Sequence, residues 1–286
     1  MNSIKHAAEI AAFENSPEKK IFDELVNEIE PQMSQVGIDS IEEFADNEST
    51  EEFLKNLRLV VKYTPGLDFI GEGSSRYVYK LGSKYVLKVA KNYLGLIQNE
   101  NEIKVNQLGS ADYDCFVQIL QYDPSKIFIV EDVCDSMSIN EWEPLIGIPL
   151  YRFVQILRIV EEHRKTDKTY SVSSLLDECR KYGKDSFEMY GLFDPKDRTE
   201  LDYDPDDYDG IIAFMENIVD AAKGYSVSML WKSLFDIFRF YFDNGAKHLV
   251  IGELPWPEQW GLCGEGPDRR IVLIDPGVNF DFVQQE

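Results

Sequence analysis

The spacing of apolar residues divides the chain into three stretches. In residues 1–64 the apolar positions recur every three or four residues, a spacing that predicts helices. In residues 65–135 they alternate with polar positions, which is typical of short strands, except for one helical stretch at 93–108. In residues 136–286 helical spacing returns, and short strands and tight loops follow toward the end. This order predicts an α+β fold in which a small strand-rich region lies between helical regions.

Turn residues and helix starts sharpen these boundaries. The segment 123–126 has turn chemistry and separates predicted strands at 116–122 and 127–133. Helix starts are predicted at Asp39 and Ser49, where polar residues precede acidic ones. Further helices are predicted at about 147–165, 171–182, 209–223 and 226–244.

Acidic residues dominate the charge, because 52 Asp and Glu stand against 29 Lys and Arg, for a formal charge of −23. Direct nucleic-acid binding is not expected, since it needs a basic footprint for the phosphate backbone. The charge favours high solubility, or an acidic surface that meets basic protein partners or imitates nucleic acid. The acidic segment 194–210 resembles a calcium loop, but Asp207 and Ala213 stand where glycine and glutamate are needed, so a solvated loop is expected.

Cysteine usage and the apolar runs bear on where the protein resides. The four cysteines show no disulfide pattern, and no metal-binding cluster can be built from them and the three histidines. A reducing, cytoplasmic location is therefore expected. No apolar run approaches the ~18 residues of a membrane span, so no membrane partner is expected.

A short glycine-rich loop, with the sequence GEGSSRYV, occupies residues 71–78. Gly71 and Gly73 would let backbone amides approach a phosphate group. Arg76 stands where such loops usually have a third glycine, so the motif is incomplete. Val78 is the apolar position two residues on. The alternative interpretation is that the two glycines are ordinary turn residues of a hairpin and that Val78 is a valine of the sheet core.

Two charged residues lie in or beside apolar strand-like runs. Lys88 is flanked by Leu87 and Val89, so it either points to solvent on an edge strand or is held inside a cleft by a carboxylate. Asp275 follows the apolar run 271–274 and precedes Pro-Gly. A buried strand that ends in one aspartate is suited to fix a carboxylate for a metal ion, and a plain turn is the alternative.

The order of these motifs resembles the protein-kinase-like superfamily, most closely the divergent Ser/Thr kinase-like proteins encoded by bacteriophages. The resemblance covers residues 67–135 and 226–280. It implies ATP and Mg²⁺ as cofactors and a two-lobed kinase-like fold. The small antiparallel N-lobe with one helix is expected at 65–135, the truncated, mainly helical C-lobe at 136–286, and a helical extension at 1–64.

The resemblance also implies how the nucleotide is held. The loop of Gly71, Gly73 and Arg76 would cover the triphosphate, and Val78 would lie over the adenine. Lys88 would contact the α and β phosphates. These roles belong to the resemblance, because each residue taken alone has an ordinary structural explanation.

The remaining assignments of the resemblance concern carboxylates and amides. The partner of the strand lysine is expected on the following helix, at Glu102, with Glu100 as the alternative. Asp275 and Gln259 would hold Mg²⁺, and Glu253 would orient the acceptor hydroxyl, with the strand lysine and Asp275 completing the catalytic set.

Three functions stay open at this point. The first is an atypical ATP- and Mg²⁺-dependent protein Ser/Thr kinase acting on host proteins. The second is a catalytically impaired pseudokinase that binds a host factor through its acidic surface. Glu253 and Gln259 favour the second, because they replace the usual Asp and Asn of the catalytic loop, as does the short sequence after Asp275. The third, a nucleic-acid mimic, rests on charge alone.

Overall fold

The computed structural model describes residues 2–36, 48–109, 113–183, 207–226, 228–244 and 254–275. They belong to two compact units. The first unit contains the described residues up to Cys134 together with Asp275, and the second contains those from Asp135 to Ile274. The predicted α+β class is confirmed, because the chain combines an antiparallel five-stranded sheet with many helices.

The first unit is built around the five-stranded sheet. Its elements in chain order are α1 (Asn2–Glu14), α2 (Pro17–Val36), α3 (Glu48–Tyr63), β1 (Leu67–Glu72), β2 (Arg76–Leu81), β3 (Tyr85–Ala90), α4 (Tyr93–Gly109), β4 (Ile119–Tyr122) and β5 (Phe128–Asp132). The strands lie in the order β1-β2-β3-β5-β4, and all neighbours are antiparallel. Helix α4 lies between β3 and β4, and it is the one helix among the described residues of that stretch.

The two faces of this sheet carry different side chains, because successive residues of a strand point to opposite sides. On β2 and β3, Tyr77, Tyr79 and Leu87 lie in a hydrophobic core on one face. The intervening positions, which include Arg76 and Lys88, point to the opposite face, where α4 supplies their partners. The period-two pattern therefore separates an apolar face from a charged one.

Helices α1, α2 and α3 cover the apolar face. Phe13 of α1 packs edge-to-face on Tyr85 of β3, with ring centroids 5.0 Å apart. Phe22 of α2 packs in the same way on Phe128 of β5 at 6.4 Å. Because these rings share one core with the strands, the helices before Tyr63 are part of the first unit's folding core.

Asp123 closes the turn between β4 and β5. Its carboxylate accepts hydrogen bonds from the backbone N–H groups of Phe128 at 2.6 Å and Ser125 at 2.9 Å. The side chain is buried, and burial outweighs these bonds and raises the pKa of Asp123 to about 6.

This carboxyl group predicts a pH dependence of stability. From about pH 4 to about pH 6 the folded chain keeps a proton on Asp123 that the unfolded chain, with an ordinary pKa of 3.8, releases. The free energy of unfolding therefore falls as the pH rises through this window, by on the order of 3 kcal/mol. In Asp123→Asn the unfolding free energy should fall by that much less between pH 4 and pH 6, whatever the stability of the variant at pH 4. Urea unfolding at several pH values measures this pH dependence for the wild type and the variant. The same pH dependence in both proteins would contradict the prediction.

The second unit is mainly helical. It contains β6 (Asp135–Ser136), α5 (Ile139–Ile146), α6 (Leu150–Arg164), α7 (Val172–Tyr182), α8 (Asp207–Ala222), α9 (Met229–Asn244), β7 (Trp260–Cys263) and β8 (Arg270–Leu273). The three strands form a small sheet in the order β6-β7-β8. Its core is aromatic: Trp142 and Phe153 pack on Trp260 with ring centroids 5.1 and 5.5 Å away.

Some predicted boundaries differ from the structure. The helix predicted from 147 begins at Leu150, after a separate helix α5 that ends at Ile146 and is capped by Gly147 in the left-handed conformation. The last residues of the predicted acidic loop, 207–210, are instead the first turn of α8. Residues 194–206 of that loop, and the helix start at Asp39, lie outside the described residues.

The cysteines also differ from the expectation. Cys134 and Cys263 are each disulfide-bonded, whereas Cys115 and Cys179 are buried thiols outside any disulfide. The expectation that no disulfide forms is wrong for the first two, because sequence spacing does not determine which cysteines form disulfides. In the part of the chain that the structure describes, no helix is both long and apolar enough to span a membrane.

Candidate functional site

The glycine loop, residues 71–76, connects β1 to β2. Neither Gly71 nor Gly73 has the positive φ that a tight turn imposes on glycine, and a Cβ at either position would meet no atom within 4 Å. The space in front of both backbones is therefore open to a ligand. The loop is also held in place, because Lys91 donates to the carbonyl of Gly73 at 2.9 Å and Asn92 to that of Ser74 at 3.2 Å.

The start of α4 approaches this loop closely. A Cβ on Gly95 would overlap the carbonyl oxygen of Ser75 and crowd Ala90. Glycine at this position thus allows the helix to lie against the loop. The side chains of α4 are in this way brought under the glycine loop.

Lys88 of β3 lies between two buried glutamates. Its ammonium group is 2.5 Å from Glu102 Oε1 of α4 and 2.7 Å from Glu131 Oε2 of β5. The predicted ion pair with Glu102 is therefore present. The alternative partner, Glu100, pairs instead with Lys126 at 2.5 Å. Lys88 is buried, so the solvent-facing interpretation of this lysine is wrong.

Arg76 of β2 joins this ion pair to Asp275. Its Nη1 donates to Glu102 Oε2, and to Asn99 Oδ1 at 3.3 Å. Its Nη2 donates to Asp275 Oδ2 at 2.9 Å. The residue is only 5% exposed. The missing third glycine of the loop is thus a buried arginine that bridges two carboxylates.

Asp275 has a second partner on α4. Gln98 Nε2 lies 2.8 and 2.7 Å from the two oxygens of the Asp275 carboxylate. The carbonyl oxygen of Gln98 accepts a hydrogen bond from the hydroxyl of Ser75 in the glycine loop. The Asp275 side chain remains 22% exposed. The loop, α4 and Asp275 are therefore linked by one hydrogen-bonded network.

The charges of this network shift its pKa values. Burial alone would raise the pKa of Glu102, but Arg76 and then Lys88 lower it to about 2. Burial also opposes the charge of Arg76, yet Glu102 and Asp275 raise its pKa above the ordinary value. Burial and the neighbouring Glu102 raise the pKa of Glu131 well above its ordinary value. Of the two glutamates that contact Lys88, Glu131 is therefore the one that more readily holds a proton.

The other predicted site residues are placed as follows. Val78 pairs in register with Lys88, so both side chains lie on the same face of the sheet. Gln259 lies in a 3-10 turn, Pro257–Gln259, of the second unit. Among the described residues its buried side-chain oxygen has no hydrogen-bond partner. Glu253 lies outside the described residues.

A resident Mg²⁺ does not fit Asp275 in this arrangement. Its carboxylate is already paired with a guanidinium group and an amide donor. A divalent cation at Asp275 would lie beside the fixed positive charge of Arg76, which cannot be deprotonated. Within the described ranges, no group of three or more His, Cys, Asp and Glu side chains could hold a metal ion.

Four residues of the network are absent from the sequence-based site. They are Ser75, Gln98, Asn99 and Glu131. Glu131 had a detectable signal, since it is a carboxylate inside the apolar run of β5. Gln98 lies four residues before Glu102 and thus on the same face of α4. This spacing is the local sequence feature that could have pointed to Gln98 as a site residue.

No protein-family model and no curated protein matches this chain. Among solved structures, a similar chain is that of the streptomycin–ATP–APH(2″)-IIa ternary complex, with 13% identity and a TM-score of 0.25 over 59% of this chain and 56% of that chain. Another is a choline/ethanolamine kinase family protein from Mesorhizobium loti, with 11% identity and a TM-score of 0.27 over 80% of this chain and 63% of that chain. This chain thus spans less than two thirds of either protein. Similarity at this level assigns neither a family nor an activity.

Proposed function

We propose that this protein is a kinase-like phosphotransferase that binds ATP on the charged face of its five-stranded sheet. The observation that carries the proposal is the buried ion pair of Lys88 and Glu102, which lies at the third strand and the helix that follows it. In protein kinases a lysine and a glutamate at these two elements hold the α and β phosphates. The open backbone at Gly71 and Gly73 gives the phosphates room to approach the loop.

The finer parts of the proposal rest on the sequence resemblance. They are a Ser/Thr hydroxyl of a host protein as acceptor, Glu253 as the residue that orients it, and a bacteriophage source. A basic protein is the expected partner, given the net charge of −23. The resemblance gives Mg²⁺ to Asp275 and Gln259, but the pairing of Asp275 with Arg76 opposes this, so the proposed reaction contains no step through a metal.

The second candidate function is a pseudokinase that serves as an acidic protein-binding module. One observation favours it: the Asp275 carboxylate, which a kinase would use for metal, is engaged by Arg76 and Gln98. In this case ATP binds without being consumed, and the bound state presents a surface to a protein partner.

Transfer of the labelled γ-phosphate of ATP to a mixture of histones and casein tests the first function. The assay is run in parallel with and without Mg²⁺, and we expect the wild type to incorporate phosphate. Incorporation by Lys88→Met should be lower by ~10²-fold or more, because the substitution removes one preorganised charged group. Lys165→Gln, which alters an exposed lysine of the second unit, is the control and should retain full incorporation.

The outcomes separate the two functions. Incorporation that persists in Lys88→Met would place the activity outside this site. Binding of ATP without any transfer would favour the pseudokinase.

A further inference from the structure

Arg76 is the first residue of β2, directly after the glycine loop, and its side chain contacts Glu102 and Asp275. It lies on the same face of β2 as Val78 and therefore on the face that carries Lys88. Burial of an arginine is costly unless carboxylates compensate it, and here Glu102 and Asp275 both do. Two cations, Arg76 and Lys88, thus share the carboxylate of Glu102 on the charged face of the sheet.

The guanidinium group of Arg76 is bonded to the carboxylate that the kinase-like resemblance gives to a metal ion. A metal ion held by Asp275 would supply positive charge to the phosphates. Arg76 already neutralises Asp275 at 2.9 Å. Its planar fork matches phosphate oxygens as it matches carboxylates, and its charge does not depend on pH in the working range.

Arg76 also retains donors for a ligand. A guanidinium group has five N–H donors. In the described part of the chain, Nη1 donates to Glu102 and Asn99, and Nη2 donates once, to Asp275. One N–H of Nη2 and the Nε–H donate to no described residue.

We infer that this site binds the triphosphate of ATP without a divalent cation, with the guanidinium group of Arg76 in the position of the metal. The inference rests on the proposed nucleotide site and concerns how that site compensates the charge of its ligand. The ligand class is a free nucleoside triphosphate, not its magnesium complex.

Isothermal titration of the full chain with ATP, once in excess EDTA and once in millimolar Mg²⁺, tests this inference without any substitution. We expect dissociation constants that agree within about threefold. Binding that is at least tenfold tighter with Mg²⁺ would overturn the inference and leave the proposed function standing. The absence of binding in both buffers would overturn both.

A pair of variants assigns the effect to Arg76. Arg76→Gln combined with Asp275→Asn removes both charges of one ion pair and leaves Glu102 paired with Lys88, so neither charge is stranded. We expect at least tenfold weaker binding in EDTA, with circular dichroism unchanged. Lys126→Gln, which removes a nearby cation outside the network, should bind as the wild type does. Metal-free binding of wild-type strength in the double variant would show that Arg76 does not take the place of the metal.

Discussion

Replacing Glu102 by glutamine should lower the free energy of unfolding by about 3 kcal/mol, because it leaves two buried cations without their shared carboxylate. Glu102 is 4% exposed and contacts both Arg76 and Lys88. The lowered pKa of Glu102, about 2, shows that the network stabilises its charged form. The loss should appear as a lower urea midpoint at pH 7 with an unchanged slope.

Glu131 offers a matched control for this prediction. It is as deeply buried as Glu102 and also contacts Lys88, at 2.7 Å, but its pKa is raised instead of lowered. Because burial and the charge of Glu102 disfavour the charged form of Glu131, Glu131→Gln should lower the free energy of unfolding by clearly less than Glu102→Gln does. Equal losses in the two variants would mean that the network does not distinguish its carboxylates.

Local sequence and the kinase-like resemblance together predicted part of this site. Lys88 lies in an apolar strand, which left two interpretations, a solvent-facing lysine or one held by a carboxylate, and the resemblance placed that carboxylate on the following helix. Glu102 lies on the helix that follows, next to the buried Ile103. Both inferences depend on neighbours within one or two elements, and the structure brings these two residues together.

Long-range contacts explain what the sequence did not reveal. Arg76 was interpreted as a missing glycine, because its partners Glu102 and Asp275 lie 26 and 199 positions later in the chain. No periodicity connects residues that far apart. Glu131 was missed for a related reason, since a strand glutamate acquires a raised pKa only from the burial and the charge that its fold neighbours impose.

For the N-terminal helices too, the sequence predicted the elements but not their packing partners. Their helical spacing indicated apolar faces, but amphipathic spacing does not identify the surface that a helix covers. The structure places that surface on the sheet, where Phe22 meets Phe128. Residues 1–64 form a separate module only if these helices and the sheet unfold independently of each other.

Phe22→Ala should destabilise the whole first unit by about 3–5 kcal/mol, because a fully buried ring that is truncated leaves a cavity at the junction of helix and sheet. Phe22 is 2% exposed and also packs on Phe13 at 6.4 Å. Hydrogen exchange of the β3 and β5 amides is the informative measurement, since these strands share the core with Phe22 but belong to the sheet and not to the helices.

If the helices and the sheet form one cooperative unit, protection of the strand amides in Phe22→Ala should fall by the same free energy as global unfolding. Leu59→Ala is the control: this residue of α3 is 52% exposed, so its truncation should leave the strand amides within about 0.5 kcal/mol of the wild type. Strand protection that survives Phe22→Ala while α2 exchanges freely would instead make the helices a separable module. In that case the charged face of the sheet, with Lys88 and Arg76, would retain its geometry without them.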